Sequence, residues 1–497
     1  MRKNKLFAII AVIVICAVAT GVLAACTNDS VGIVGIEKTS SSGNVDTYTV
    51  TYTDGSTFTF EVTNGEDGAN GVNGTSVSAT DIYEQYKLAT GDNDLTYEEF
   101  VDKFVDVNVG EDNSQVISSV LRSAAAVYTE FYETQTSIGF GGIQAIDKAA
   151  VYTGSAVVYK IDGDYTWFIT NYHVVYSQNA NDDNLTYSLS GAKDKHIARR
   201  IILYLYGSEG SPASSGEQNG YTSYDYGSYA IECEYAGGSE QNDLALIKAK
   251  TQDVQAINPD VREVAFAESY DVGDTAIVIG NTGGDGISVT EGIVSVHSEN
   301  INLQISSQTT THRSMRVDAA MYGGNSGGGC FNVYGQLIGV PHAGNGEEEQ
   351  GINYAIPVDT VKAVADNIYY YACDGNDSTG GLNALTLGVT VTEENSRYVY
   401  DETSGSGKIT ADTTVHEVTD GGIIQTLGLQ AGDKITNITI TRGGEKISFD
   451  IERSYMIAYA TYAAKVGDSV TVTYTRGGTS STTSAHTVQT GDIKSVS

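Results

Sequence analysis

Apolar and polar residues alternate with a period of two over much of this chain, and long stretches with helical spacing are scarce. Thr47-Tyr48-Thr49-Val50-Thr51-Tyr52 and Thr57-Phe58-Thr59-Phe60-Glu61-Val62 each alternate, with Asp54-Gly55 between them. An Asp-Gly pair between two such runs predicts a β-hairpin, because both residues accept the positive φ that follows the strand twist. Gly65, Gly68, Gly71 and Gly74 then recur at every third position. Collagen needs many more triplets and proline, so this segment reads as a flexible spacer. Residues 81–105 break the alternation: Ile82, Tyr83 and Tyr86, then Phe100, Val101 and Phe104, fall on apolar faces and predict two short helices. From about residue 113 to 372, short apolar runs punctuated by glycine-rich turns predict strands. The polar stretch from Asp374 to Gly381 reads as a linker, followed by a smaller β unit to the C-terminus.

The pattern predicts a mainly β protein with this organisation: 1–25 an export signal, 26–79 a small β module and Gly-rich spacer, 80–112 a short helical segment, 113–372 the largest domain, 373–381 a linker, and 382–497 the last unit. The segment Asp92-Asn93-Asp94-Leu95-Thr96-Tyr97-Glu98-Glu99 ends like a calcium loop, but the first ligand positions fall on Lys87 and Ala89, and Asn93 replaces the turn glycine. That is a poor site, and it reads as a loop and helix N-terminus.

The first residues carry a targeting signature. Arg2, Lys3 and Lys5 precede an apolar run from Leu6 to Ala25, which ends at Leu23-Ala24-Ala25-Cys26 and turns polar at Thr27. The Leu-Ala-Ala-Cys pattern resembles a bacterial lipobox, which would make Cys26 lipid-modified and the mature N-terminus. An uncleaved membrane anchor is the alternative, since the run is long enough to span a bilayer. Both readings place the rest of the chain outside the cytoplasm.

Composition narrows the function. The 497 residues carry 28 Lys and Arg against 62 Asp and Glu, a net charge of −34. That argues against nucleic acid, whose phosphates need basic residues to displace counterions. Self-repulsion that favours solubility covers most of the acidity. Beyond Cys16 in the signal and Cys26, only Cys233, Cys330 and Cys373 remain, and no Cys-x-x-Cys or Cys/His cluster suggests zinc. Cys330 reads as a small apolar residue of the core.

The most informative stretch is Ala319-Ala320-Met321-Tyr322-Gly323-Gly324-Asn325-Ser326-Gly327-Gly328-Gly329-Cys330. Glycines beside a serine leave room for a substrate backbone and accept positive φ, so the serine can be exposed while neighbouring N–H groups converge on an oxyanion. Acyl transfer at neutral pH also needs a base and a carboxylate to orient it. His173 ends the apolar strand Trp167-Phe168-Ile169-Thr170-Asn171-Tyr172, and Asp243 opens the buried strand Leu244-Ala245-Leu246-Ile247. Each alone would be an ordinary structural residue.

Together, the order His173, Asp243, Ser326 with Gly-Asn-Ser-Gly-Gly around the serine resembles the trypsin-like peptidases of the HtrA/Deg branch. Gly154-Ser155-Ala156-Val157-Val158, Gly273-Asp274-Thr275-Ala276-Ile277-Val278-Ile279-Gly280-Asn281, Val289-Thr290-Glu291-Gly292-Ile293-Val294-Ser295 and Ile352-Asn353-Tyr354-Ala355-Ile356-Pro357 extend the match over most of residues 113–372. The resemblance implies a double β-barrel, with Ser326 attacking the scissile carbonyl, His173 taking and returning the proton, and Asp243 fixing the imidazole tautomer. The Gly324 and Ser326 N–H groups would form the oxyanion hole. Ala320 would be the floor of the primary specificity pocket, and the lack of a carboxylate there disfavours cleavage after Arg or Lys. Asn325 stands where secreted zymogens use Asp, so activation by a new N-terminus is not expected. Two departures stand out: Gly329-Cys330 replace the family's Pro-Leu, which predicts a looser loop, and a Tyr/Ser/Gly-rich insertion around 207–229 either covers the cleft or lies on the surface.

In the last unit, Leu427-Gly428-Leu429-Gln430-Ala431-Gly432-Asp433-Lys434-Ile435 and Val466-Gly467-Asp468-Ser469-Val470-Thr471-Val472-Thr473-Tyr474-Thr475-Arg476-Gly477-Gly478 resemble PDZ segments attached to HtrA-type proteases, the latter their final strand and turn. Leu387-Gly388-Val389 would then be the loop that binds a peptide carboxylate, unless the unit only packs on the protease. The resemblance implies a membrane-tethered serine endopeptidase acting on unfolded or exposed polypeptide, with no metal or cofactor, and a homotrimer as its family's common assembly. A catalytically silent binder of peptide termini and a surface adhesin are the competing readings.

Overall fold

The computed structural model describes residues 33–42, 45–52, 57–63, 96 and 113–496, apart from 140–141, 181–187, 219–220, 345–350, 375–380 and 402–405. The export signal with Cys26, the glycine spacer and the two short helices predicted over 81–105 therefore lie outside the described residues, Thr96 apart. The chain divides into two compact units, Met1–Asp112 and Asn113–Ser497.

In the first unit, the strands Ile33–Ser42, Val45–Tyr52 and Thr57–Thr63 form an antiparallel sheet in sequence order. The predicted hairpin is its second and third strands, paired from Thr51 with Thr57 to Val45 with Thr63.

The second unit opens with two barrels. Six strands close the first, in the order Ile231–Ser239, Leu244–Lys250, Tyr165–Thr170, Gly142–Ile161, Ala124–Gly139 and Arg200–Leu205. Tyr165–Thr170 is buried on both faces after its first residue. Thus Trp167 and Ile169 face one core while Phe168 faces another, as strand alternation requires. The second barrel runs Gln336–Gly344, Gly329–Phe331, Thr275–Asn281, Ile287–Gln304, Thr309–Val317 and Asn353–Pro357, and the last strand pairs back onto the first. Closure leaves neither barrel with a free edge along its wall.

Gly329 and Cys330 do not loosen the Ser326 loop. They begin a strand that pairs with Ile279 and Val278, and both are buried. Glycine is required at 329 because a Cβ there would lie 2.2 Å from the Phe331 ring. Cys330 packs in the core with Val278, Val317 and Ile338, where burial pushes its thiol pKa up. The insertion forms the hairpin Ala213–Gln218/Tyr221–Asp225. Tyr226 then packs with Tyr128 and Tyr204 and donates its hydroxyl to buried Glu130.

The helix Val358–Ala372 joins the barrels to the rest of the chain, and one apolar cluster contains Trp167, Phe331, Val361, Ile368 and Tyr462. The C-terminal β unit is a sheet in the order Val389–Asp401, Ser406–Val418, Lys434–Arg442, Ser469–Arg476 and Thr479–Thr482. It carries a helix, Met456–Ala463, whose Tyr459 hydroxyl meets Arg313 at 2.7 Å and Thr360 at 2.7 Å.

Candidate active site

His173 lies on a four-residue helical turn, Tyr172–Val175, that starts directly after the buried strand Tyr165–Thr170. Val174 and Val175 anchor the turn in the core, while the His173 side chain keeps 31% of its surface exposed. Asp243 has no exposed surface and holds a left-handed backbone, φ 52°, which is uncommon outside glycine and collects at functional positions. Asn171 fixes that conformation by donating its side-chain N–H to the Asp243 carbonyl at 2.8 Å.

The two residues meet through three contacts. The His173 backbone N–H donates to Asp243 Oδ1 at 3.0 Å, and the ring Nδ1 lies 3.0 Å from Oδ1 and 2.8 Å from Oδ2. Burial works against the imidazolium, but the charge and hydrogen bond of Asp243 outweigh it and raise the His173 pKa. Burial likewise pushes the Asp243 carboxyl up, yet the charge and hydrogen bond of His173, with His342 behind it, hold it well below the usual carboxylate range.

The Ser326 loop is seated against this turn. The Ser155 N–H donates to the Ser326 carbonyl at 2.8 Å, and the Ser155 hydroxyl donates to the Gly324 carbonyl at 2.7 Å. Ser155 Oγ also accepts the Asn281 N–H at 2.7 Å, so one first-barrel residue ties the loop to the second barrel. Gly324 and Gly327 have φ of 97° and 85°. A Cβ on Gly327 would lie 2.3 Å from the Ser155 carbonyl and 3.0 Å from the Asn171 amide. Asn325 is buried and accepts the Thr282 hydroxyl at 2.8 Å, so the residue before the serine is held by the second barrel itself. Among the described residues, the amides of Gly324 and Ser326 donate to no protein acceptor, and the Ser326 hydroxyl makes no hydrogen bond.

A cavity of about 270 Å³ opens beside the serine, lined by Met321, Tyr322, Gly323, Asn325, Ser326, Pro341, His342, Ala343 and Gly344. Ala320 does not line it. That residue is exposed, and its carbonyl accepts the Thr290 hydroxyl at 2.7 Å. Sequence reading named Ala320 by counting back from the serine and so missed Met321 and Tyr322, which line the cavity instead. It also assigned no role to Ser155 or His342, although Gly154-Ser155 was visible as a motif. Among the described residues, no cluster of three or more His, Cys, Asp or Glu is placed to hold a metal ion.

A family model described as a trypsin-like peptidase domain matches residues 154–340, which include all three of His173, Asp243 and Ser326. The serine protease Do-like HtrA of Lactococcus lactis subsp. cremoris is 27% identical over 399 residues, covering 76% of this chain and 83% of its own length. A serine protease HtrA-like protein of Staphylococcus aureus is 25% identical over 303 residues, covering 59% of this chain and 32% of its own. Among solved structures, the HtrA-type protease AlgW with tripeptide aligns at 21% identity and a TM-score of 0.45, over 77% of this chain and 97% of the other.

The electrostatics give a sign that can be checked. A raised His173 pKa contributes stability present below about pH 6.5 and lost as pH rises through the folded value; a depressed Asp243 contributes stability present above about pH 3.9 and lost as pH falls. In Asp243→Asn, burial is left as the main influence, so the His173 pKa should fall below about 6.5. Histidine NMR titration of both proteins measures this, and an unmoved value would show that the carboxylate does not sustain it.

Proposed function

This chain is a trypsin-like serine endopeptidase related to the HtrA proteases, and from that premise we propose that Ser326, His173 and Asp243 are its catalytic triad. The reading rests on one observation above the others: an imidazole bonded to a buried carboxylate sits two residues after Asn171, against whose amide the left-handed glycine that follows Ser326 is packed. His173 Nε2 takes the Ser326 proton as Oγ attacks the substrate carbonyl, and returns it to the leaving amine. Asp243 keeps the proton on Nδ1 and stabilises the imidazolium that forms. The unused Gly324 and Ser326 amides receive the developing oxyanion, each worth roughly 3 kcal/mol of barrier. Among the described residues the Ser326 hydroxyl makes no hydrogen bond, and catalytic contacts of this kind commonly tighten only with substrate bound.

Among the described residues, no carboxylate lines the cavity beside Ser326. Met321, Ala343 and Pro341 suit an apolar P1 side chain and give nothing to pair with Arg or Lys. Substrates are unfolded or exposed polypeptide, and the enzyme works outside the cytoplasm in protein quality control, tethered through lipid on Cys26. The C-terminal unit acts as a PDZ domain. Support for this comes from the Leu387 and Gly388 amides, which donate no hydrogen bond among the described residues, and from Val389–Asp401, which is an edge strand of its sheet. A peptide could add to that edge while its carboxylate takes the two amides.

A fluorophosphonate probe should label the wild type and leave Ser326→Ala unlabelled, with peptide hydrolysis reduced at least about 10⁴-fold. Equal labelling of both proteins would remove the nucleophile assignment. Radiolabelled palmitate should enter the wild-type protein and be absent from Cys26→Ala, which should leave the membrane fraction; retention of label would disprove that anchor. A fluorescent apolar peptide with a free C-terminus should bind at least about tenfold more tightly than its amide, the difference expected of charge-assisted bonds. Indistinguishable binding would reduce the C-terminal unit to a packing element.

A further inference from the structure

The triad engages one imidazole on Asp243, and the structure places a second against the same carboxylate. His342 lies on the strand Gln336–Gly344, next to Pro341, whose carbonyl accepts the Gly327 N–H at 3.0 Å. Its side chain has no exposed surface, and Nδ1 stands 3.4 Å from Asp243 Oδ2. On the other side of the ring, Nε2 is 2.9 Å from the buried Ser314 hydroxyl. Among the described residues, Nδ1 itself has no hydrogen bond. A buried ring nitrogen left unpaired is costly, and so is a buried carboxylate oxygen short of donors; here each is the other's neighbour. Oδ1 of Asp243 is met by both the backbone and the ring N–H of His173, whereas Oδ2 shares the ring N–H and otherwise faces His342. His342 also lines both the cavity beside Ser326 and the one beside His173.

We propose that His342 is a positioning residue of the catalytic site. Its Nε2 accepts the Ser314 hydroxyl proton, which fixes the neutral Nδ1–H tautomer, and Nδ1–H donates to Asp243 Oδ2. This holds the carboxylate in the orientation His173 needs. The proposal rests on the triad reading above. At 3.4 Å the contact is long, and catalytic hydrogen bonds commonly tighten in the Michaelis complex. Ser314, His342 and Asp243 thus repeat the order of groups in the triad, but Ser314 is wholly buried, so this second chain orients and does not attack. The titratable groups facing His342 are Asp243, His173 and His312. The His312 ring stands edge-on at 6.0 Å, with its Nε2 2.6 Å from the Thr310 hydroxyl. Removing the His342 donor leaves the Asp243 charge shared with fewer groups, so its hold on His173 tightens and the His173 pKa rises.

The direct test uses full-length Ser326→Ala protein labelled with ¹⁵N-histidine. The expected spectrum shows His342 as the Nδ1–H tautomer near neutral pH, and an Nε2–H tautomer overturns the proposal. Kinetics provide the second readout. His342→Leu should lower kcat about tenfold, the loss of one hydrogen bond to a charged group, with KM changed less than about twofold and the acid limb of the kcat/KM profile moved upward. His342→Asn, whose amide can stand near the Nδ1 position, should recover most of the rate. Equal impairment of the two variants, or an unchanged rate and acid limb in His342→Leu, overturns it. If the leucine variant does not fold, Ser314→Ala decides: a mixed tautomer at His342 and a fall in kcat of about threefold are expected, and no change in either rules the role out. Probe labelling that needs His173 and Asp243 but ignores His342 removes this proposal alone. Labelling that survives Ser326→Ala removes the triad beneath it.

Discussion

Asp243 carries its charge with none of its surface in water, and the site is arranged around making that tolerable. An uncompensated buried carboxylate costs several kcal/mol. Hydrogen bonds to a charged group return about 1.5–3 kcal/mol each, so one donor does not suffice and two or three do. His173 supplies two from a single residue, its backbone N–H and its ring N–H. That is possible only because the helical turn begins directly after Asn171 and directs both groups the same way. Asn171 contributes differently: by bonding the Asp243 carbonyl it holds a left-handed backbone that costs on the order of 1–3 kcal/mol for a non-glycine residue.

The second constraint is the seam between the barrels. Ser155 receives one hydrogen bond from the second barrel at Asn281 and gives two to the loop that carries Ser326. Because its carbonyl also accepts the Thr170 hydroxyl at 2.7 Å, the same residue is locked to the strand that leads into His173. A Cβ at position 327 would collide with that carbonyl, so the glycine after Ser326 is a packing requirement as much as a conformational one. The glycine before Asn325 is fixed by the opposite wall, where a Cβ on Gly324 would lie 2.1 Å from the Asn281 carbonyl. Glycine at these two positions is therefore what lets the serine loop fit between two rigid barrels.

The parts legible in the sequence are those whose signal is local. Alternation marks the strands, and glycine spacing marks the serine loop. A histidine after an apolar strand and an aspartate before another mark the carboxylate–imidazole pair, because strand ends are where a barrel leaves the backbone free to turn. What was not legible depends on contacts between distant residues. The looseness expected of Gly329-Cys330 does not occur because pairing with Val278 and Ile279 converts them into strand. Nothing near Ala320 in the sequence shows that its carbonyl is engaged by Thr290 and that the cavity lining begins one residue later. The closeness of His342 to Asp243 is invisible for the same reason: it follows from the ring of strands closing through Asn353–Pro357 and bringing Gln336–Gly344 behind the carboxylate.

The C-terminal unit is fastened to the strand that supports this arrangement. On Thr309–Val317, successive side chains point to opposite sides. Ser314 faces His342, while Arg313 donates to Asp359 at 2.6 Å and to the Tyr459 hydroxyl at 2.7 Å. The Arg313 guanidinium also stacks on Tyr455, 3.8 Å from the ring centroid. Arginine suits this position because its planar fork can bond a carboxylate and cover an aromatic face together, which a lysine ammonium cannot do. With only 10% of its side chain exposed, its charge is committed to these partners rather than to solvent, and breaking such a set leaves a buried cation unpaired. The helix Met456–Ala463 therefore braces, through one residue, the strand whose next residue holds the second imidazole. The stiffness of the surroundings of Asp243 is thus a property of the barrels and the C-terminal unit together.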